Sequence, residues 1–230
     1  MEAVGCCTYE HYNKAYNRLI EWADEHDIAD GDIPRDLSAL RDLERLSFEN
    51  FRYFGRDKIS SLPEDICKLA NLKVLALGSA THPEIILNNL IKLPKGIGNL
   101  AELTDIFVQF NSLIELPSEI GNLRKLKVLK LGGNNLSCLP KDIGRLKELE
   151  ILTAWNNQLI ELPEEICLLT NLKGLDISGN LLPALPDLII RLTGLRALYY
   201  QNDNLKLNES QKLWIKTLKS NECDLFPPLK

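Results

Sequence analysis

Apolar residues recur along most of the chain in two alternating patterns. Leu129 and Leu131 flank a polar position, and this alternation predicts a short strand with one buried face. After a Leu-Pro pair, apolar residues follow at steps of three, as at Pro140, Ile143 and Leu146. Steps of three are typical of a helical or 3₁₀ segment with one buried stripe. Each unit is therefore predicted to be a strand followed by a short helix.

The unit repeats along the chain. Successive pairs are 29, 31, 23, 23, 23 and 23 residues apart. The pairs are Ile33-Pro34, Leu62-Pro63, Leu93-Pro94, Leu116-Pro117, Leu139-Pro140, Leu162-Pro163 and Leu185-Pro186. One unit cannot bury its own leucines, so neighbouring units must stack and bury them between a parallel sheet and a layer of helices. We predict a right-handed α/β solenoid of seven repeats over residues 33–207, with the sheet on its concave side.

The repeat also resembles a known family. Residues 126–136 read L-x-x-L-x-L-x-x-N-x-L, and residues 139–146 read L-P-x-x-I-x-x-L. This resembles the 23-residue class of leucine-rich repeats, which is common in bacterial proteins and in intracellular Ras-group repeat proteins. The resemblance implies a horseshoe with a parallel concave sheet and short convex helices. It implies a shape rather than a reaction.

Both ends of the solenoid need a cover, because a bare end would expose core leucines. Residues 1–32 are the predicted N-terminal cap, with an amphipathic helix over residues 8–26 and Thr8 as its N-cap. The alternative is that this helix binds a partner. Residues 208–230 are the predicted C-terminal cap and tail, where Asn208 and Gln211 fit a capping box.

An asparagine occupies the same position of four central repeats: Asn111, Asn134, Asn157 and Asn180. We interpret this column as a buried ladder in which each amide bonds to backbone groups at the turn after the strand. The outer repeats carry Phe51, Ala80 and Asp203 at this position, so the ladder is expected to stop at both ends.

Composition narrows the choice of function. The chain has 27 Lys and Arg against 32 Asp and Glu, a net charge of −5, which argues against a nucleic-acid partner. No apolar run is long enough to span a membrane. The six cysteines come without a C-x-x-C motif or a secretory signal, which favours free thiols and a cytoplasmic location. For a bacterial protein, delivery into a host cell is the alternative location.

Candidate chemistry is absent from the sequence. The chain has neither a phosphate loop nor a G-x-S-x-G nucleophile motif, and Cys223 is followed by no histidine that could activate it. The three histidines lie far apart without metal-ligand spacing. We therefore expect no catalytic residue, no metal and no cofactor.

An exposed surface must then carry the function. The predicted partner-binding residues lie on the concave face: Phe107, Phe110, Lys130, Gly132, Trp155, Asp176 and Tyr199. Aromatic side chains in exposed patches are typical binding hot spots. Gly132 and Gly133 between flanking aromatics predict an open groove, with Lys130 and Asp176 as opposite charges at its margin. The alternative is that the aromatics only fill the concave surface.

Two longer repeats suggest a second site. The first two repeats exceed 23 residues by six and eight, and both additions follow a strand. Insertions on one face often serve binding, and the first is basic and aromatic through Arg52, Tyr53, Phe54 and Arg56. Tolerated drift in terminal repeats is the alternative.

The sequence thus predicts a non-enzymatic module that binds a protein partner on its concave face. The resemblance allows a bacterial protein that acts on host cells. One alternative is the substrate-recognition part of a larger enzyme, such as a ubiquitin ligase or a kinase. Another is an extracellular adhesion module stabilised by disulfides. The partner's identity and the oligomeric state stay open.

Overall fold

One parallel sheet runs through the whole molecule. The computed structural model describes residues 3–47, 59–78 and 89–227, with side chains from residue 12 onward. Within these ranges, eight three-residue strands pair side by side in chain order. They are β1 (Arg45–Ser47), β2 (Val74–Ala76), β3 (Asp105–Phe107), β4 (Val128–Lys130), β5 (Ile151–Thr153), β6 (Gly174–Asp176), β7 (Ala197–Tyr199) and β8 (Asp224–Phe226).

A layer of 3₁₀-helices forms the opposite side. The helices are Glu64–Lys68, Lys95–Asn99, Ser118–Asn122, Lys141–Arg145, Glu164–Leu168 and Asp187–Arg191. A 3₁₀-helix has three residues per turn, so apolar residues at steps of three line up on one buried side. Each helix follows a proline with ψ between 141° and 145°. The proline therefore lies one residue before the helix.

The core lies between the two layers. Leu129 of β4 and Ile143 of the following 3₁₀-helix are both fully buried, as are their counterparts in neighbouring repeats. One parallel sheet, one layer of short helices and a terminal helix at each end confirm the predicted leucine-rich repeat solenoid. The exact division into cap, repeats and cap stays a prediction.

The first helix of the N-terminal cap begins earlier than expected. Helix α1 spans Ala3–Glu25, so Thr8 lies inside it and the prediction of Thr8 as N-cap is wrong. The five residues before Thr8 contain no proline, and nothing there stops a helix from starting earlier. The Arg18 guanidinium pairs with Asp65 at 2.5 Å, which attaches α1 to the first 3₁₀-helix. The second helix, α2 (Leu37–Arg41), is capped by the Asp36 side chain.

The C-terminal cap has two parts. Helix α3 (Glu209–Ser220) begins with a capping box between Asn208 and Gln211, as predicted. Its Trp214, Ile215 and Leu218 side chains are buried. Strand β8 then pairs with β7 in parallel, although it does not belong to a repeat with a Leu-Pro pair. The helix covers the helical layer and the strand extends the sheet.

The asparagine ladder is present. Asn134 Nδ2 donates to the carbonyls of Val108 and Leu131, both at 2.9 Å, and its Oδ1 accepts from the Leu113 N–H at 3.0 Å. One side chain thus joins two adjacent repeats. Asn111, Asn157 and Asn180 are buried in the same way.

The predicted C-terminal end of this ladder is wrong. Asn202, one residue before Asp203, turns inward instead. Its Oδ1 accepts from the Asn180 N–H at 2.7 Å, and its Nδ2 donates to the Ile177 carbonyl at 3.1 Å. Another amide therefore replaces the missing one. Phe51 and Ala80, at the other end, lie outside the described residues.

Leu129→Ala should lower the free energy of unfolding by about 2–5 kcal/mol, because it leaves a cavity between sheet and helices. Chemical denaturation measures this loss. Ile160→Ala is the matched control, since the Ile160 side chain is 59% exposed and leaves no cavity. Equal losses for the two variants would contradict the assignment of Leu129 to the core.

Candidate functional site

The concave face consists of three rows of side chains that cross the strands. In β4, Leu129 enters the core, so its two neighbours point to the opposite face. The first row contains Arg45, Val74, Asp105, Val128, Ile151, Gly174, Ala197 and Asp224. The second row contains Ser47, Ala76, Phe107, Lys130, Thr153, Asp176, Tyr199 and Phe226. The third row, two residues further on, contains Gly78, Gln109, Gly132, Trp155, Ser178 and Gln201.

The backbone turns left-handed just after the third row. The residues there are Phe110, Gly133, Asn156 and Gly179, with φ of 54°, 67°, 47° and 64°. Glycine adopts this conformation freely and asparagine tolerates it, whereas other residues lose about 1–2 kcal/mol. Phe110 is thus an exception, and strained positions of this kind concentrate at functional sites.

Phe110, which follows β3, packs against Trp155, which follows β5. The ring centroids are 5.2 Å apart and the ring planes meet at 69°, an edge-to-face arrangement. Both side chains are only partly buried. We call these two residues the aromatic pair. Such a pair contributes about 0.5–1.5 kcal/mol beyond the burial of its surface.

The two glycines of the intervening repeat form the floor under the aromatic pair. A Cβ on Gly132 would lie 2.2 Å from Trp155 Cε2, and a Cβ on Gly133 would lie 3.0 Å from Phe110 Cδ1. The predicted open groove is therefore wrong, because Trp155 lies in the space that Gly132 leaves free. Gly132 itself is buried and offers no surface to a partner.

Phe107 and Lys130 form a separate contact. The Lys130 ammonium lies 5.5 Å from the centre of the Phe107 ring, in a cation–π arrangement. Lys130 and Asp176 are on β4 and β6, about 10 Å apart at the usual strand spacing. That they supply opposite charges to a partner on this face stays a prediction.

Asp176 and Tyr199 are neighbours across β6 and β7. Asp176 Oδ1 accepts from the Ser178 N–H at 3.1 Å and from its hydroxyl at 2.6 Å. Burial raises the pKa of Asp176, and the two bonds from Ser178 lower it again in part. The Tyr199 hydroxyl donates to Asp224, and this hydrogen bond raises the pKa of Tyr199.

Two parts of this face escaped the sequence analysis. Val128 and Ile151 are half-buried in the first row, and outward β-branched residues in strands were the available signal. A hollow of about 440 Å³ lies beyond the third row, between Asn156 and Phe226. Phe226 is 50% exposed, and it was missed because nothing in the repeat pattern indicates β8.

Charges of both signs border the face. Glu44 pairs with Lys73 at 2.5 Å, and Glu150 pairs with Lys173 at 2.7 Å, in each case across adjacent repeats. Exposed ion pairs of this kind add little stability. Their mixed sign suits a protein partner better than a nucleic acid.

The buried cysteines among the described residues are unreactive. Cys67, Cys138, Cys167 and Cys223 are all free thiols. Burial raises the pKa of Cys67 to about 12 and that of Cys167 to about 11, so both stay protonated and unreactive at neutral pH. In the described ranges, no group of side chains is arranged to hold a metal ion.

The secondary loop site falls outside the described residues, since Arg52, Tyr53, Phe54 and Arg56 all lie between residues 47 and 59. Among the helices that are described, none has the length and apolarity of a membrane span.

Solved structures share this fold. A leucine-rich repeat protein of Leptospira interrogans, LIC12759, is 30% identical with a TM-score of 0.62, over 76% of this chain and 46% of its own. The ectodomain of the Arabidopsis thaliana receptor kinase GASSHO1/SCHENGEN3, in complex with CASPARIAN STRIP INTEGRITY FACTOR 2, is 29% identical with a TM-score of 0.60, over 75% of this chain and 20% of its own.

A third similar structure is the plant peptide hormone receptor RGFR1 in complex with RGF2, 29% identical with a TM-score of 0.59, over 77% of this chain and 27% of its own. The chain thus spans less than half the length of each of these proteins. No family model and no curated protein matches the sequence. The similarity supports a leucine-rich repeat protein, and it does not confirm the 23-residue class.

Gly132→Ala should displace the Trp155 ring, because the new methyl group would occupy the same space. We expect a lower melting temperature and a red shift of tryptophan emission, since the indole becomes more exposed to water. Gly194→Ala is the control, because a Cβ there meets its nearest atom at 3.6 Å, an ordinary contact. If Gly132→Ala behaves like Gly194→Ala, Trp155 does not lie over Gly132.

Proposed function

We propose that this protein is a non-enzymatic interaction module that binds a protein partner on its concave face, centred on the aromatic pair. The observation that carries the proposal is the glycine floor under Phe110 and Trp155. Gly132 and Gly133 leave room for two large rings to lie against the sheet while one side of each stays accessible. Burying that side against a partner would remove further apolar surface from water.

The arrangement is preorganised for binding. Each ring is already held by the other and by the backbone below, so little rotamer freedom is left to lose when a partner arrives. Phe110 also occupies a left-handed position that glycine or asparagine fills in the next three repeats. A phenylalanine is intrinsically less stable there, which favours a role for its side chain beyond folding.

The structural neighbours support a protein or peptide as the partner. GASSHO1/SCHENGEN3 and RGFR1 were solved in complex with CASPARIAN STRIP INTEGRITY FACTOR 2 and RGF2 respectively. Only the fold and partial identity connect them to this chain, so the partner class is carried over as a proposal. The same role is open to the module alone or within a longer protein.

A cytoplasmic location is part of the proposal. It is supported by the four free thiols, because none of them forms a disulfide with another in the described structure and free thiols are typical of reducing compartments. The bacterial origin, with action on host cells, stays a prediction; LIC12759 of Leptospira shows that a bacterial protein has this fold.

Reductant should leave the melting temperature unchanged, because disulfides do not contribute to the described fold. Differential scanning calorimetry with and without reductant measures this. Thiol titration of the denatured protein is the parallel check, and all six cysteines should react. A melting temperature several degrees lower after reduction would favour the extracellular adhesion module.

Trp155→Ala should weaken partner binding by about 2 kcal/mol or more, as expected at a hot spot. The partner is first isolated by affinity capture and identified, and its affinity for purified variants is then measured by titration calorimetry. Ile160→Ala is the matched control, since it removes an exposed apolar side chain outside the three rows.

The stability of Trp155→Ala and Ile160→Ala must also be measured by chemical denaturation, with Leu129→Ala for comparison. Trp155→Ala should cost less folding free energy than Leu129→Ala, because Trp155 is outside the core. Unchanged affinity for Trp155→Ala, with a loss for Ile160→Ala, would place the binding site away from the concave face.

A further inference from the structure

One glycine in the rows of the concave face, Gly174, is left uncovered. Gly174 lies in the first row, between Ile151 on β5 and Ala197 on β7. A Cβ built on Gly174 would meet only the Ile151 side chain, with Cγ1 and Cγ2 each at 3.9 Å. The space above Gly132 is filled by Trp155, whereas the space above Gly174 is open. We call this space the Gly174 notch.

A carboxylate stands beside the notch. Asp176 lies two residues after Gly174 on the same strand, so both face the same side of the sheet. Its Oδ1 already accepts two hydrogen bonds from Ser178. Within the described residues, Oδ2 has no hydrogen-bond partner. One oxygen of a partly buried carboxylate is therefore available at the notch.

The far side of the notch is also acidic. Asp224 of β8 is next to Ala197 in the first row and accepts a hydrogen bond from the Tyr199 hydroxyl. In the part of the chain that the structure describes, neither Asp176 nor Asp224 forms a salt bridge. Asp176 therefore borders a small, open space without a counter-ion, and Asp224 adds a second negative charge two strands from Gly174.

None of the neighbouring cations forms a salt bridge with Asp176 in the described structure, and these include Arg196, which precedes Ala197. Lys173, which precedes Gly174, pairs with Glu150 at 2.7 Å. Lys130 lies over the Phe107 ring, two strands from Asp176. Neither of these side chains neutralises Asp176, so the local field favours a positive group brought by a ligand.

We propose that the Gly174 notch receives a lysine or arginine side chain of the protein partner. The aliphatic stem of that side chain would lie on Ile151, Gly174 and Ala197, and its charged end would reach Asp176. This division suits long cationic side chains, which bury their methylene groups and keep their charge hydrogen-bonded. The proposal rests on the proposed function, because it specifies the chemistry of the same face.

Other occupants fit less well. A purely apolar side chain would desolvate Asp176 without giving it a partner, which is unfavourable. An acidic side chain would be repelled by both carboxylates. A lysine or arginine side chain can pack its methylene groups on the apolar floor and pair its charge with Asp176.

The experiment uses two small probes and a neutral analogue. N-acetyl-arginine methylamide and N-acetyl-lysine methylamide are each titrated into the full-length ¹⁵N-labelled protein. N-acetyl-citrulline methylamide, nearly the same shape as the arginine probe but uncharged, is the control ligand. We expect at least one cationic probe to shift the amide resonances of Gly174 and Ser178, and the citrulline probe to shift them far less. The two cationic probes distinguish arginine from lysine.

Two variants test the charge and the space of the notch separately. Asp176→Asn removes the charge and should weaken binding of the cationic probe about tenfold or more. Gly174→Val fills the space and should abolish the shifts; Val74 and Val128 show that valine fits this row. Asp142→Asn, on a 3₁₀-helix of the opposite side, should leave the shifts unchanged. Melting temperatures establish that each variant is folded.

Equal shifts from the arginine and citrulline probes would overturn the inference, as would an absence of shifts at Gly174 or an undiminished response in Asp176→Asn. These outcomes are distinct from failure of the proposed function. If Trp155→Ala weakens partner binding but the cationic probes do not bind at the notch, the concave-face proposal is supported and the cation site is contradicted.

Discussion

The rest of the structure depends on the hydrogen bonds of a buried asparagine that recurs in successive repeats. Each amide bonds to carbonyls of two adjacent repeats and accepts an N–H from the preceding one, as Asn134 does with Val108, Leu131 and Leu113. A buried amide with unpaired groups is costly, so a shifted stacking register would lose these bonds. The ladder thus fixes which residues become neighbours across the strands.

This register determines what the concave face can display. Large rings can lie against a parallel sheet only where the neighbouring repeat leaves space, and Gly132 and Gly133 leave it for Trp155 and Phe110. The aromatic pair is therefore built from three successive repeats, one for each ring and one for the floor. At Gly174 the neighbouring strands supply no covering ring, so the same kind of gap stays open beside Asp176.

Much of this follows from sequence, because repetition at 23 residues fixes strand, helix and core positions together. Leu129, Ile143 and the asparagine column were all predictable from spacing alone. The seven predicted binding residues also fall on or beside the concave rows, although Gly132 is covered. Their role in binding stays a proposal.

The contacts between these residues were not predictable from spacing. A repeat pattern gives the face on which Trp155 lies, but the direction of its ring depends on space left by another repeat. Asn202 continues the ladder, although it lies one residue before the position that the repeat pattern assigns to the asparagine. The backbone geometry brings its amide inward, and the spacing does not show this. Strand β8 carries no repeat signature and forms because the edge of β7 is available for pairing.

The position of the Trp155 ring in solution tests the central claim most directly. Nuclear Overhauser contacts between the Trp155 indole, the Gly132 Hα protons and the Phe110 ring measure it without a partner or a mutation. The structure predicts contacts to both residues, with the Gly132 Hα resonances shifted upfield by the indole ring current. A Trp155 ring without these contacts, and Gly132 resonances at ordinary positions, would contradict the glycine floor and the binding face built on it.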